Sequence, residues 1–395
     1  MLNQTQKDIV KQTVPVLEQH GTQITSVFYQ NMFAEHPELL DIFNKTNQTQ
    51  GRQQTALATA VLAAAKHIDN LSAILPHVTQ ISHKHRALQI KPEHYPIVGK
   101  HLLKAIKQVL GESATDEVID AWAATYGEIA DVFISIEKQM YDDALWQDFV
   151  PFTVVQKNQT GQDICHFVVK PVNDTVNLNH VTLKAGQYIT VKTHPQNSDN
   201  LALRHYSLCS THTDDGIEFA VKRDTQNSHR GLVSNHLHDH VNVGDEILLS
   251  APAGDFLLDE SLLNQNDIPL VLISAGVGIT PVLSMLEAQI DTNPKRPIVW
   301  VYACQNAECQ AFGEKVAQLA SQAENFSQIN FYSDAGQRLD ENYLKTLPKP
   351  IDVYVCGSIN FMETMINQLS ALSHEDKYLH FEPFGPKMSL YADKV

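Results

Sequence analysis

For its length this sequence is short of positive charge: 29 Lys and Arg face 45 Asp and Glu, a formal charge of −16 over 395 residues. The deficit is spread along the chain, with 12 basic and 17 acidic residues in 1–150 and 17 and 28 in the remainder. No part gathers the basic face that a phosphate backbone needs, so a nucleic-acid partner is excluded. Cysteine is scarce as well. Cys165, Cys209, Cys304, Cys309 and Cys356 are odd in number and contain no CxxC pair, which speaks against a disulfide framework or a zinc site. Cys304 and Cys309, five apart, read as reduced, partly buried thiols. Long apolar runs are missing too: the stretch Ala56 to Ala65 is broken by Thr59 and falls far below the ~20 residues that cross a bilayer. The start, Met1 to Lys7, lacks the apolar core of a secretion signal. A soluble, cytoplasmic chain with no transmembrane segment is expected. It shows no internal repeat and no low-complexity tail.

What is present is ordinary globular material, 43% hydrophobic and 19% charged. At roughly 150 residues per domain the length predicts two or three domains. Residues 1–143 read as helix after helix. From about Phe149 the period changes to short alternating runs such as Ile164-Cys165-His166-Phe167-Val168-Val169, separated by turn clusters such as Thr213-Asp214-Asp215-Gly216. That pattern predicts an antiparallel barrel. From 268 onward, Leu270 to Ile273, Ile298 to Tyr302 and Val353 to Val355 are near-continuous apolar strands spaced by helix-length stretches, the signature of a doubly wound parallel sheet. The expected fold is therefore multidomain: all-α over 1–146, antiparallel β-barrel over 147–260, and α/β over 261–395.

Within Ala73 to Leu88, helical geometry of about 100° per residue puts Ile74, Val78, Ile81, His85 and Leu88 on one stripe and His83 on the opposite side. An imidazole on a core stripe needs its nitrogens satisfied by hydrogen bonds or by a metal. Phe43 ends an earlier helical stretch, Gln53 and Leu57 share one helix face at i, i+4, and Tyr29 lies among apolar residues. An apolar cavity with one imidazole on one wall and a phenol and an amide on the other suits a five-coordinate haem.

Residues 1–143 resemble a bacterial globin, and specifically the globin part of flavohaemoglobins: Asn44 to Gln48 ahead of Gln53, and Lys84-His85 followed by Gln89 to Tyr95, carry the likeness. The resemblance implies His85 as proximal ligand of haem b iron, Tyr29 and Gln53 as distal hydrogen-bond donors, and Phe43 and Leu57 as haem-packing groups. It also implies that Tyr95 and Glu137 form a polar relay with the second nitrogen of His85, which pushes electron density onto iron and favours oxygen activation over carriage.

In the middle segment Arg204-His205-Tyr206-Ser207 follows Gly186-Gln187-Tyr188. It supplies an arginine for a pyrophosphate, an aromatic face for an isoalloxazine and a hydroxyl for its polar edge. In a strand Arg204 and Tyr206 share one face, while His205 and Ser207 point to the other. Gly231-Leu232-Val233-Ser234 opens a short helix whose free amides suit a phosphate. The order RxYS, GxxS, nucleotide sheet resembles the ferredoxin-reductase family, which implies FAD contacts from Tyr188, Arg204, His205, Tyr206, Ser207, Gly231 and Ser234, with Tyr206 on the flavin.

After the strand Leu270 to Ile273 comes Gly276-Val277-Gly278-Ile279-Thr280-Pro281. The glycines let backbone approach a pyrophosphate, and Pro281 is expected at the first helical position. This is not GxGxxG, because Pro281 replaces the third glycine. With Cys356 and Gly357 ending a later strand, GxGxTP instead resembles the reductase family's nucleotide domain. Ile279 stands where flavohaemoglobins commonly have Gln, and Ser358 where they commonly have Pro. The family's terminal motif is present as Phe381-Glu382-Pro383-Phe384-Gly385-Pro386. It implies Phe384 beside the flavin and Glu382 near the haem edge, where an ion pair with Lys84 across the domain junction is expected. Cys304 to Glu308 offers no basic residue for a 2′-phosphate, which favours NADH over NADPH, although Arg338 could reach from elsewhere.

The resemblance spans essentially all 395 residues. It implies a nitric oxide dioxygenase: NAD(P)H reduces FAD, FAD reduces haem, and O₂ at the haem converts NO to nitrate. It further implies a monomer and a haem pocket roomy enough for lipid. A flavin-dependent ferric or quinone reductase with a regulatory globin, and an O₂ or NO sensor or carrier, are the alternatives.

Overall fold

The computed structural model describes residues 2–43, 51–179, 181–196, 198–224, 231–372 and 378–383. These fall into two compact units. One takes the described residues up to Gln147 with the short segment ending at Leu203; the other takes those of Asp148–Gln196 and from Arg204 onward.

The first unit is helical: α1 (Gln4–Gln12), α2 (Val14–Glu35), α3 (Arg52–Lys66), α4 (Leu75–Ala87), α5 (His94–Leu110) and α6 (Asp116–Asp142), with short 3₁₀ turns between. Chain chemistry sets several ends. Asn3 accepts from the Gln6 amide while the Gln6 side chain accepts from the Asn3 amide, a reciprocal cap on α1. Thr115 caps α6, whose first turn carries Asp116 and Glu117 against the helix dipole. Ile24, Phe28, Met32, Leu102, Ile106 and Trp122 form the core. Gly21 lets α2 meet α3 closely, since a Cβ there would lie 3.4 Å from that of Ala58. One turn later the Thr25 hydroxyl donates to the Gln54 carbonyl at 2.9 Å.

The helix bearing His85 departs from expectation in two ways. It begins at Leu75, after a 3₁₀ turn over Leu71–Ile74. Its most deeply buried residues are Val78, Ser82, Arg86 and Ala87, whereas Ile81 and His85 are half-buried.

The second unit contains two sheets. The first has β1 (Val150–Gly161), β2 (Ile164–Pro171), β3 (Tyr188–Thr193), β4 (Ala202–Ser207), β5 (Ile217–Lys222) and β6 (Glu246–Leu249), in the order β4-β3-β6-β1-β2-β5. β1 with β2, β2 with β5, and β6 with β1 and β3 pair antiparallel. The edges meet just beyond β4, where Leu208 bridges Phe219 and the Cys209 amide donates to the Glu218 carbonyl at 2.9 Å, so the sheet closes into the expected barrel. Phe152, Val154, Phe167, Phe219 and Leu249 fill it, following the period of two along each strand. Between β5 and β6 lies α7 (Leu232–His240).

The second sheet has β7 (Leu270–Ala275), β8 (Ile298–Cys304), β9 (Phe326–Tyr332), β10 (Asp352–Gly357) and β11 (Leu379–Pro383), all parallel, in the order β11-β10-β7-β8-β9. Helices α8 (Ile279–Thr292), α9 (Gly313–Ala320), α10 (Glu341–Leu344) and α11 (Ile359–Ala371) connect them. Strand order therefore reverses between β7 and β10, the crevice where doubly wound sheets take their ligands. The two sheets of this unit are joined through α8. Buried Glu287 accepts from the Ser210 hydroxyl and the Thr211 amide, both at 2.7 Å, and pairs with Lys315 at 3.3 Å. Ser284 on the same helix accepts from the Gly186 amide at 3.0 Å.

Candidate functional site

In the helical unit the sequence-selected residues converge around His85. Its Nδ1 lies 2.8 Å from Glu137 Oε1 and 3.2 Å from the Tyr95 hydroxyl, and Tyr95 donates to the same Oε1 at 2.7 Å. A carboxylate only accepts, so Nδ1 carries the imidazole proton and Nε2 keeps its lone pair. Nε2 makes no hydrogen bond among the described residues. Glu137 is 3% exposed, so its carboxylate lies out of bulk solvent. Tyr95 is positioned by its own carbonyl, which accepts from Tyr126 at 2.7 Å. Burial and then the nearby Glu137 charge push its phenol far above the usual value, so it stays a proton donor.

Tyr29 is buried on α2, burial lifts its phenol well above the ordinary value, and its hydroxyl has no hydrogen-bond partner among the described residues. Phe43 meets the Tyr29 ring edge-on at 5.8 Å. Gln53 and Leu57 sit one turn apart on α3, beside the Thr25 contact to Gln54. Asn44 to Gln48 lie outside the described residues. Two aromatic residues escaped the sequence reading. Phe133 packs its ring against that of His85 at 5.5 Å, and Phe33 stacks on Tyr29 at 5.7 Å. The signal for Phe133 was available, since it lies one turn before Glu137 on α6. Among the described residues no group of three or more His, Cys, Asp or Glu is arranged to hold a bare metal ion.

On the barrel, β4 carries Arg204 and Tyr206 on one face, with His205 exposed on the other and Ser207 buried. Burial lowers the Arg204 guanidinium from its usual value and raises the Tyr206 phenol. His205 turns to Thr190, 2.8 Å away, and lies beside the Tyr188 ring. Gly231 precedes α7 as its N-cap, and the Ser234 hydroxyl donates to the Gly231 carbonyl at 3.2 Å, so the helix opens where expected.

At the sheet crevice Gly276–Gly278 forms a 3₁₀ turn with Gly276 at φ +54°. A Cβ on Gly278 would lie 2.3 Å from the Cys356 carbonyl oxygen and 2.7 Å from the Gly357 nitrogen, so Val277, Gly278, Cys356 and Gly357 share the switch point. Pro281 is the third residue of α8, not the first, because the helix already starts at Ile279. At the third position it still breaks no hydrogen bond, as the first helical amides lack intrahelical partners. Ile279 and Thr280 are buried in that first turn. Ser358, at the position where the resembled family commonly has Pro, caps α11 by accepting from the Phe361 amide. Lys222, missed in the sequence, brings its amine 3.9 Å from the Gly276 Cβ position and pairs with Asp163 at 3.3 Å. Lys84 lies on α4 of the first unit, and Glu382 and Pro383 lie on β11 of the second. Phe384, Gly385 and Pro386 lie outside the described residues.

Fold and site together define a globin-like helical unit followed by a barrel and nucleotide sheet of the flavin-reductase kind. The globin family model matches residues 26–133, and the oxidoreductase NAD-binding domain matches 272–367. The chain is 44% identical to a flavohemoprotein of Bacillus subtilis, covering 99% of both chains, and 43% identical to that of Oceanobacillus iheyensis, covering 98% and 97%. Among solved structures it is similar to a flavohemoglobin from Malassezia yamatoensis with bound FAD and heme (TM-score 0.85, 26% identity, 97% of this chain and all of that one). It also matches the FAD/NAD-binding domain of nitric oxide dioxygenase from Vibrio cholerae (TM-score 0.53, 33% identity, 61% and 100%). The chain belongs to the flavohemoprotein family. No described helix is long and apolar enough to cross a membrane.

Proposed function

We infer that the chain is a nitric oxide dioxygenase: an oxidoreductase that draws electrons from NAD(P)H, NADH being favoured, through FAD to haem b, and converts NO and O₂ to nitrate. The observation that carries this reading is the 2.8 Å contact between His85 Nδ1 and a buried carboxylate. It leaves Nε2 as an electron-rich ligand, which suits oxygen chemistry better than passive carriage. The donor set fits haem: an imidazole nitrogen and a buried phenol that have no hydrogen-bond partner among the described residues, and aromatic rings beside both.

Bound haem would supply the iron at which O₂ and NO react, and bound FAD would divide the two electrons of a hydride into single ones. The protein's part is positioning. His85 holds the iron, while Glu137 and Tyr95 keep the proton on Nδ1 and fix the ring. Tyr29 and Gln53 offer hydrogen-bond donors to the gas, and Phe43 and Leu57 pack the porphyrin. Arg204 meets the FAD pyrophosphate, Tyr188 and Tyr206 its rings, Ser207 its polar edge, and Gly231 with Ser234 a phosphate. Gly276 to Pro281 with Cys356 and Gly357 cradle the pyridine nucleotide, and Glu382 to Pro386 complete the reductase end. We assign these roles to domains 1–146, 147–260 and 261–395, in a cytoplasmic monomer whose haem pocket can also admit lipid.

The test begins with a visible spectrum showing a Soret band and flavin absorbance together. Nitrate is then measured after NADH, O₂ and NO are added. Nitrate formation abolished by His85→Ala is the expected result; unchanged turnover in that variant refutes a haem mechanism.

A further inference from the structure

The carboxyl ends of β7, β8 and β9 are in register, with Ala275 beside Ala303 and Ala303 beside Phe331. Two strand spacings separate β9 from the glycine loop, about 10 Å, within reach of the adenosine half of a dinucleotide whose pyrophosphate rests on that loop. The end of β8 is tied to the loop directly, since the Tyr302 hydroxyl donates to the Gly276 carbonyl at 3.2 Å.

At this rim Asn306 is held at both ends of its amide. Its Oδ1 accepts from the Cys309 amide at 3.1 Å, and its Nδ2 donates to Asp334 Oδ2 at 3.0 Å. Asp334, just after β9, is held a second time through its own amide, which donates to the Gln305 carbonyl at 2.9 Å. The result is an exposed carboxylate in a fixed orientation whose Oδ1 has no hydrogen-bond partner among the described residues. An oriented, open carboxylate oxygen accepts from ribose hydroxyls and repels a phosphate on the same ring.

We propose that Asp334, clamped by Asn306, is the specificity-determining residue of the pyridine-nucleotide site: it takes the adenosine ribose hydroxyls of NADH and excludes the 2′-phosphate of NADPH. The assignment rests on the function proposed above and adds the nucleotide it selects. Arg338 is the competing group. It is exposed and without a partner among the described residues, and as a 2′-phosphate receptor it would reverse the preference.

The experiment compares NADH and NADPH on the holoprotein by kcat/KM, and NAD⁺ and NADP⁺ by calorimetric Kd. The wild type is expected to favour the unphosphorylated member by about tenfold or more in both measurements, and by less at high salt, as charge repulsion is screened. Asp334→Asn narrows the ratio, Asp334→Arg inverts it, and Asn306→Ala, which frees the carboxylate, narrows it partway. Arg338→Ala leaves the ratio unchanged. Equal use of both nucleotides by the wild type, an unaltered ratio in both Asp334 variants, or loss of NADPH use on Arg338→Ala overturns the assignment and leaves the dioxygenase reading standing. A holoprotein that binds and oxidises neither nucleotide overturns that reading itself.

Discussion

Replacing Glu137 by Gln isolates what the buried carboxylate does for His85. Two hydrogen bonds of 2.8 and 2.7 Å end on one oxygen of Glu137. With an ionised acceptor each contributes about 1.5–3 kcal/mol, and with an amide oxygen about 0.5–1.5, so the substitution keeps the shape and removes about 1 kcal/mol per bond. The share carried by His85 is felt at the iron, where the carboxylate favours the oxidised, more positive state. For a one-electron couple 1 kcal/mol corresponds to about 40 mV, so the haem potential of Glu137→Gln should rise by roughly that amount. Tyr95→Phe should move it a smaller distance the other way, because removing the phenol leaves Glu137 a stronger acceptor for the imidazole proton. Spectroelectrochemical titration of the Soret band reads both. A Glu137→Gln protein with intact fold and haem content whose potential lies within about 10 mV of wild type would refute the relay.

With Tyr29 in its proposed role as donor to the gas, Tyr29→Phe should speed O₂ release about tenfold, the worth of one neutral hydrogen bond, measured by flash photolysis. Gly278→Ala places a methyl 2.3 Å from the Cys356 oxygen and must part the glycine loop from β10; kcat/KM for NADH should fall about 100-fold, with the haem spectrum unchanged. Asp352→Asn strands the Arg296 guanidinium, which shares a fully buried 2.9 Å ion pair with it, and should cost about 3–5 kcal/mol in urea unfolding. Burial lifts the Cys304 thiol to about 11, so it stays protonated at neutral pH. Its alkylation by iodoacetamide, followed by peptide mass spectrometry, should be slow at pH 8 and accelerate as pH rises toward 11.

The parts readable in the sequence were those written in local periodicity. Alternation in Arg204 to Ser207 set which side chains share a face of β4, and the apolar run before Gly276 placed the loop at a strand end. His85 is legible as a helix position, but the stripe it shares with Ile81 is only half-buried, and the deepest burial falls at Val78, Ser82 and Arg86. Contacts between distant segments left little trace. Lys222 is an unremarkable strand-end lysine until the fold sets it over Gly276, and closure of the barrel depends on one bridge from Leu208, beyond the end of its strand. Asp334 was invisible for the same reason, since its meaning comes from Asn306, 28 residues earlier.

Helix α8 begins at the glycine loop and, eight residues on and about 12 Å along its axis, presents Glu287 to the barrel segment at Ser210 and Thr211. One rigid rod thus serves as the ruler for both halves of the reductase unit. A nucleotide sheet grafted from another protein would need its own acidic latch at that distance, or the spacing over which hydride must travel would be set by chance.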